Sequence, residues 1–268
     1  MTALPSLLLV GAGRMGGALL AGWREQGLTQ AFIVDPSPGA RALAGADVSV
    51  LADAALLPSD FLPEAVILAV KPQLAAAVVP GYGRFTSNAV FVSIMAGKTV
   101  QGVADMLGGK PSVVRAMPNT PASVRQGITV AFAGPHVSAA QQDLSGRLLS
   151  AVGDVAWVKD EPMLDPVTAI SGGGPAYVFL LTELLEQAGL DQGLPPDLAK
   201  SMARQTVIGS AALLAGSSET PEALRVAVTS PGGTTAEALK LLRADDALPK
   251  IFKAAIQAAT ERSRELSA

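Results

Sequence analysis

The spacing of apolar positions divides this chain at about residue 160. Before that point, short β-rich apolar runs alternate with segments of helical spacing. Strands are expected at 7–10, 32–34, 66–70, 89–93 and 113–115. Helical pieces are expected between them at 15–26, 40–43, 74–79 and 100–107. Such alternation predicts a parallel sheet with helices on both faces. Segments 128–132 and 155–157 are candidates to extend the sheet, with a helix at 139–151 between them. Beyond residue 160 the strand signal ends. Apolar residues recur at helical spacing through 176–188, 197–214, 221–228, 236–242 and 248–266. Pro195 and Pro196 suit a helix start, and Gly216 suits a helix end.

Composition narrows the chemistry. Hydrophobic residues make up 49% of the 268 positions, charged residues 16% and aromatic residues 4%. Ala- and Leu-rich helices with so few charges predict apolar surface covered by a partner subunit. A net charge of -3 offers no basic footprint for nucleic acid. The absence of cysteine removes disulfides, thiolate metal sites and cysteine nucleophiles. His136 is the single histidine and lies in a loop-like Gly-Pro-His-Val-Ser stretch, so no His triad or multi-His metal site is expected. The run 7–10 is too short to span a bilayer, and no positive segment precedes it. The expectation is a cytoplasmic protein without a membrane or nucleic-acid partner.

Leu7-Leu8-Leu9-Val10 followed by Gly11-Ala12-Gly13-Arg14-Met15-Gly16 reads as strand, glycine turn and helix. Gly11 permits the tight turn, Gly13 lets a pyrophosphate approach the backbone, and Gly16 allows close helix–strand contact. The N–H groups at the helix start then face the phosphates. The first half is therefore expected to be a Rossmann-like, doubly wound α/β domain, 1–160, followed by an all-α domain, 161–268. At the end of the second strand, Asp35 is the acidic residue expected to meet the ribose hydroxyls of NAD. Ser37 and Arg41 instead suit the 2′-phosphate of NADP, so NADPH and NADH are both expected to serve. Ala69-Val70-Lys71-Pro72 ends the next strand, where open α/β sheets bind ligands, and Lys71 is placed to meet a ribose or phosphate oxygen. Met95-Ala96-Gly97 and Pro118-Asn119 end the following strands. Asn119 offers both a donor and an acceptor, but such a residue is also a common turn former.

The segment Val228-Thr229-Ser230-Pro231-Gly232-Gly233-Thr234-Thr235-Ala236-Glu237 joins two apolar helical patterns by a turn of Gly and hydroxyl residues. Pro231 and the glycines stop one helix, and the next begins among hydroxyls. Its first N–H groups lack helical acceptors and suit a carboxylate. The plain alternative is that Thr234 or Thr235 only caps the helix.

This segment resembles the signature of the pyrroline-5-carboxylate reductases. The glycine motif at 11–16, Ala69-Val70-Lys71-Pro72, Arg115-Ala116-Met117-Pro118-Asn119-Thr120-Pro121 and Ser171-Gly172-Gly173-Gly174-Pro175-Ala176-Tyr177 match in order along the whole chain. The resemblance implies hydride transfer from NADPH or NADH to the cyclic imine of Δ1-pyrroline-5-carboxylate, giving L-proline. It implies substrate carboxylate binding at Ser230, Gly233, Thr234 and Thr235, with the Thr235 hydroxyl near the ring nitrogen as the catalytic group. Glu161 aligns with an acid near the substrate, although a first-turn helix acid explains it equally. The resemblance places Met95-Ala96-Gly97 beside the nicotinamide half and makes the helical domain the dimer contact, in a homodimer or a larger assembly of dimers. Many relatives carry a basic or amide residue where Asp35 stands, and Ser where Gly173 stands. A β-hydroxyacid dehydrogenase shares the same plan but needs a base, for which Lys200 is the lysine at hand in the first helices of the second half. A dinucleotide-binding regulator without catalysis is the remaining alternative.

Overall fold

A computed structural model describes residues 4–267. Its strands are β1 (Leu7–Val10), β2 (Ala31–Val34), β3 (Val48–Leu51), β4 (Ala65–Leu68), β5 (Val90–Ser93), β6 (Ser112–Met117), β7 (Gly127–Ala133) and β8 (Gly153–Trp157). They form one sheet in the order β3-β2-β1-β4-β5-β6-β7-β8. Every neighbouring pair is parallel except β6 and β7. The order reverses between β1 and β4, which opens a crevice beyond their carboxyl ends.

Strands β1, β4 and β5 are buried at every position, so they read as apolar runs, broken only by Ser93 at the end of β5. Alternate residues feed opposite faces. Leu7 and Leu9 join Trp23, Ile33, Ile67 and Leu148 on one side. Leu8 and Val10 join Val66, Leu68, Tyr82 and Phe91 on the other. Helix α1 (Arg14–Glu25) brings Leu19, Leu20 and Trp23 into the first layer. The Trp23 indole N–H donates to the Leu148 carbonyl at 2.8 Å, so its polar edge is satisfied inside the core. Strand β8 alternates between half-buried and exposed residues, as an edge strand does.

The five strands expected first pair in parallel, as their alternation with helices implies, and the sheet becomes mixed only at its extension. The 3-10 turn Thr120–Val124 sends the chain back, so β7 runs against β6. Strand β3 escaped the sequence pattern because its four residues include Ser49 and give too short a signal. The helical piece expected at 40–43 is a 3-10 turn, Pro38–Leu43, and the piece expected at 74–79 is the short α2 (Ala75–Val78) between the 3-10 turns Pro72–Leu74 and Val79–Phe85. Proline and glycine in these segments oppose a regular helix. Helices α3 (Val100–Leu107) and α4 (Ala139–Leu149) complete the cover, and α5 (Leu164–Val167) runs into a π-turn at Thr168–Gly172.

The remaining helices are α6 (Gly174–Asp191), α7 (Pro196–Gly216), α8 (Pro221–Ala227), α9 (Thr234–Arg243) and α10 (Ala247–Ser267). Two compact units result. Residues 4–172 with 259–267 form one, and Gly173–Ala258 forms the other. In the second unit α6 and α7 approach closely: a Cβ on Gly189 would stand 3.1 Å from that of Ala199. Ala199 and Ala203 are its only buried residues.

Candidate active site

The glycine turn leaves β1 at the topological switch. Gly11 has φ +89°, and a Cβ there would stand 2.8 Å from the Ala69 carbonyl oxygen and 3.1 Å from a Val70 methyl. That close approach seats the turn against the end of β4 and brings Gly11, Ala69 and Val70 together. A Cβ on Gly16 would overlap the Gly11 carbonyl, so Gly16 lets α1 start directly on the turn. Gly13 differs: a Cβ there meets nothing within 4 Å. The backbone of Gly13 therefore borders open space, where a group can reach it. Gly13 is the N-cap of α1 without a side-chain cap, and the first turn carries no acid. Exposed Arg14 stands at the same helix start, so the charge there suits an anion. Met15 is half-buried and packs on the core, so its contribution to a ligand is its backbone. These features fit the pyrophosphate of a dinucleotide.

Asp35 joins this turn directly. Its Oδ2 accepts the Ala12 N–H at 2.7 Å, and its Oδ1 accepts the Ser37 N–H at 2.8 Å. Partial burial pushes the carboxyl up, but the hydrogen bonds from Ser37 and Ala12 outweigh it and hold Asp35 below the usual carboxylate range. A carboxylate beside the glycine turn, held toward its ionised form, suits ribose hydroxyls and opposes a 2′-phosphate. Lys71 is exposed and caps the turn that Pro72 opens after β4.

The next loop divides its labour. The Met95 side chain lies in the core at 2% exposure, whereas Ala96 is exposed and Gly97 half-buried. Gly97 has φ +71°, a conformation that other residues adopt at a cost. Asn119 is committed at both ends of its amide. It donates to the Ser171 carbonyl at 3.1 Å and accepts the Ile128 N–H at 2.9 Å. It thus staples the π-turn to the start of β7 and keeps a second N–H and a second carbonyl lone pair. Glu161 is also engaged within the nucleotide unit. Its Oε1 accepts from the Arg115 guanidinium at 3.1 Å and from the Val100 N–H at 2.8 Å. It takes the first N–H of α3 beside the Thr99 cap, and it is also the first-turn acid of its own 3-10 helix, Glu161–Met163, as the macrodipole reading has it. Sequence reasoning missed Arg115, which is 7% exposed. A lone charge inside the apolar run Val113-Val114-Arg115-Ala116 was the signal available.

In the helical unit the hydroxyl-rich turn precedes α9. Gly233 is its N-cap, and no side chain caps it. The Thr234 and Thr235 hydroxyls are therefore not spent on helix capping. Gly232 has φ +68°, which lets the chain turn from Ser230 into the helix. The Gly233 N–H donates to the Ser230 carbonyl at 3.0 Å. Gly233 is thus not among the amide donors left for a ligand. The N–H groups of Thr234 and Thr235 open the helix and lack intrahelical acceptors. Ser230, Thr234 and Thr235 are all exposed in the single chain.

Comparison with known proteins agrees with this layout. The family model described as pyrroline-5-carboxylate reductase dimerisation matches residues 161–266. The model described as NADP oxidoreductase, coenzyme F420-dependent, matches residues 6–97. A pyrroline-5-carboxylate reductase from Pseudomonas aeruginosa is 39% identical, with 98% of this chain and 97% of that protein covered. The solved structure of such a reductase from Coxiella burnetii superposes with a TM-score of 0.91 at 32% identity, covering 99% of both chains. A Plasmodium falciparum pyrroline carboxylate reductase, solved with NADP bound, gives 0.83 at 28% identity over 98% of each chain.

Proposed function

The chain belongs to the pyrroline-5-carboxylate reductase family, and from that premise we propose how its residues carry out the reaction. It reduces Δ1-pyrroline-5-carboxylate to L-proline with NAD(P)H. When bound, the dinucleotide supplies the hydride that reduces the imine. The iminium carbon is already electrophilic, so the protein's task is chiefly alignment and proton handling. We assign cofactor binding to residues 1–160, and substrate binding and dimerisation to 161–268.

In this reading, Gly11, Ala12, Gly13, Arg14, Met15 and Gly16 cradle the pyrophosphate through backbone N–H groups. Asp35 and Ser37 hold the adenosine ribose. Ala69, Val70, Lys71 and Pro72 border the middle of the dinucleotide, and Ala96 and Gly97 border its nicotinamide half, with Met95 anchoring their loop in the core. The Thr234 and Thr235 N–H groups take the substrate carboxylate, and Ser230 and Gly233 shape the turn that presents them. The Thr235 hydroxyl hydrogen-bonds the ring nitrogen and assists proton delivery there. Asn119 borders the cofactor and Glu161 the substrate, each oriented by its contacts within the fold.

The observation that carries this reading is the uncapped start of α9. Its hydroxyls and N–H groups are spared for a ligand in the very turn that matches the family signature. The protein is a homo-oligomer, and we propose a dimer that is able to assemble further. We place it in the cytoplasm, where reduced dinucleotide is available. The direct test follows absorbance of NADPH or NADH on adding the cyclic imine. Imine-dependent oxidation with proline as product is expected. Tight cofactor binding with no turnover of any imine would favour a regulator instead.

A further inference from the structure

We propose that the last turns of α10 act as a positioning strap for the loop that joins β5 to α3. The inference rests on the reading that this loop borders the nicotinamide half of the cofactor. Residues 259–267 leave the helical unit and pack with the nucleotide unit. Two side-chain hydrogen bonds anchor them there. Ser263, 7% exposed, donates its hydroxyl to Asp165 Oδ1 at 2.7 Å, and Asp165 is itself 7% exposed. Two buried polar groups matched in this way fix a register, because a shift would leave a carboxylate unpaired.

The same strand of helix reaches the loop at both ends. Gly97 lies under the Leu266 backbone: a Cβ on Gly97 would stand 2.7 Å from the Leu266 carbonyl oxygen. At the other end, Ser267 Oγ accepts from Arg115 Nη2 at 3.3 Å. Arg115 holds Glu161, and Glu161 holds the Val100 N–H at the start of α3. The Gly97 backbone and the α3 N-terminus are therefore both referenced to one helix end. A cohesive contact alone needs only apolar side chains, yet Leu266 keeps its side chain exposed and presents its carbonyl. The function that fits is to hold Ala96 and Gly97 at a fixed height over the cofactor site. Ser263, Leu266 and Ser267 are thus positioning residues that act through the loop.

The experiment is steady-state kinetics on the full-length oligomer, varying NADPH and imine separately. Ser263→Ala should raise the dinucleotide KM roughly five-fold, with kcat and imine KM within about two-fold. Ser263→Thr, which keeps the hydroxyl, should return the value toward wild type. Ser267→Ala, at the helix end and tolerant of change, should raise the same KM about two-fold. Should Ser263→Ala fail to fold by circular dichroism, Ser267→Ala decides. Ala96→Asp, at an exposed loop position outside the strap contacts, controls for the underlying reading and should raise the dinucleotide KM most, by setting a carboxylate beside an anionic cofactor. A wild-type dinucleotide KM in the strap variants, with Ala96→Asp impaired, overturns the strap and leaves the loop reading standing. A wild-type KM in Ala96→Asp as well removes the loop from the cofactor site and the proposal with it.

Discussion

The nucleotide unit and the helical unit solve the burial problem in opposite ways. The first has a sheet with apolar layers on both sides, including Trp23, Tyr82, Phe85 and Phe91 at no more than 1% exposure. At about 1.5–3 kcal/mol per fully buried large apolar side chain, such a core stabilises a domain by itself. The second unit buries only Ala199 and Ala203, among the smallest side chains available. Its α6 carries Val178, Phe179, Leu180, Leu181, Leu184 and Leu185, all exposed in the single chain. Consecutive apolar residues point to all sides of a helix, and a helix apolar all round belongs in a protein interior. The contrast teaches that one unit is a finished core and the other an unfinished one, whose apolar helices suit burial in the homo-oligomer.

The largest effect should come from charging the unfinished half. Leu184→Asp on a free surface would change stability by less than about 0.5 kcal/mol. Buried against a partner, it should cost at least about 3 kcal/mol of association. Sedimentation should show dissociation with loss of helix. An unchanged oligomer would mean that this face is truly solvent-exposed.

Thr235→Ala comes next, because it separates chemistry from folding inside the helical unit. No side-chain cap is lost, so the melting temperature should stay put. Catalytic efficiency should fall about ten-fold or more, or roughly 1.4 kcal/mol, with cofactor affinity little changed. Thr235→Ser should retain most activity. Wild-type kinetics in folded Thr235→Ala would leave the backbone N–H groups as the substrate anchor.

In the finished unit, two glycines of one motif should behave differently. Gly13→Ala adds a methyl to open space in a permitted conformation, so stability should hold while dinucleotide KM rises about ten-fold. Gly16→Ala should instead damage folding, because its Cβ overlaps the Gly11 carbonyl. Matching melting temperatures would refute that packing account.

Asp35→Ser should have a smaller, several-fold effect, about 1 kcal/mol, on the NADPH-to-NADH efficiency ratio, because one charge facing a 2′-phosphate is removed. It also removes the acceptor of the Ala12 N–H, so both cofactors should bind somewhat less well. An unchanged ratio would place the ribose elsewhere.

The smallest effect is on acid stability. The Arg24 guanidinium holds Asp47 below the usual carboxylate range, as Ser37 and Ala12 hold Asp35. A lowered folded value means stability that is present above the unfolded pKa and lost as pH falls through the folded one. Melting temperature should therefore drop below about pH 4, and Asp47→Asn should flatten that drop. An identical acid profile in the variant would remove the pair from the account.

The sequence was legible where periodicity and turn chemistry agree. Strand β1, the glycine turn and α1 follow one another as the residues predict, and so do the long helices after 160. Strand β3 and the reversal into β7 were not legible, because a short strand with a serine and a change of direction leave no periodic trace. The same limit applies to the sites. Residue type marked Asp35 and Thr235, but it was silent on where an amide or carboxylate spends its hydrogen bonds. Asn119, Glu161 and the Gly233 N–H all proved engaged by partners distant or local that only the fold brings within reach. The buried Asp165–Ser263 pair gave no sequence signal at all, since its members are 98 positions apart.

The comparison between a finished core and an unfinished one is tested most directly by measuring mass and specific activity together. Sedimentation of the enzyme across low micromolar and lower concentrations, paired with imine reduction at each, gives both. The account predicts a dimer or a multiple of dimers, with activity and helical content lost together on dissociation. A folded monomer with full activity would contradict it.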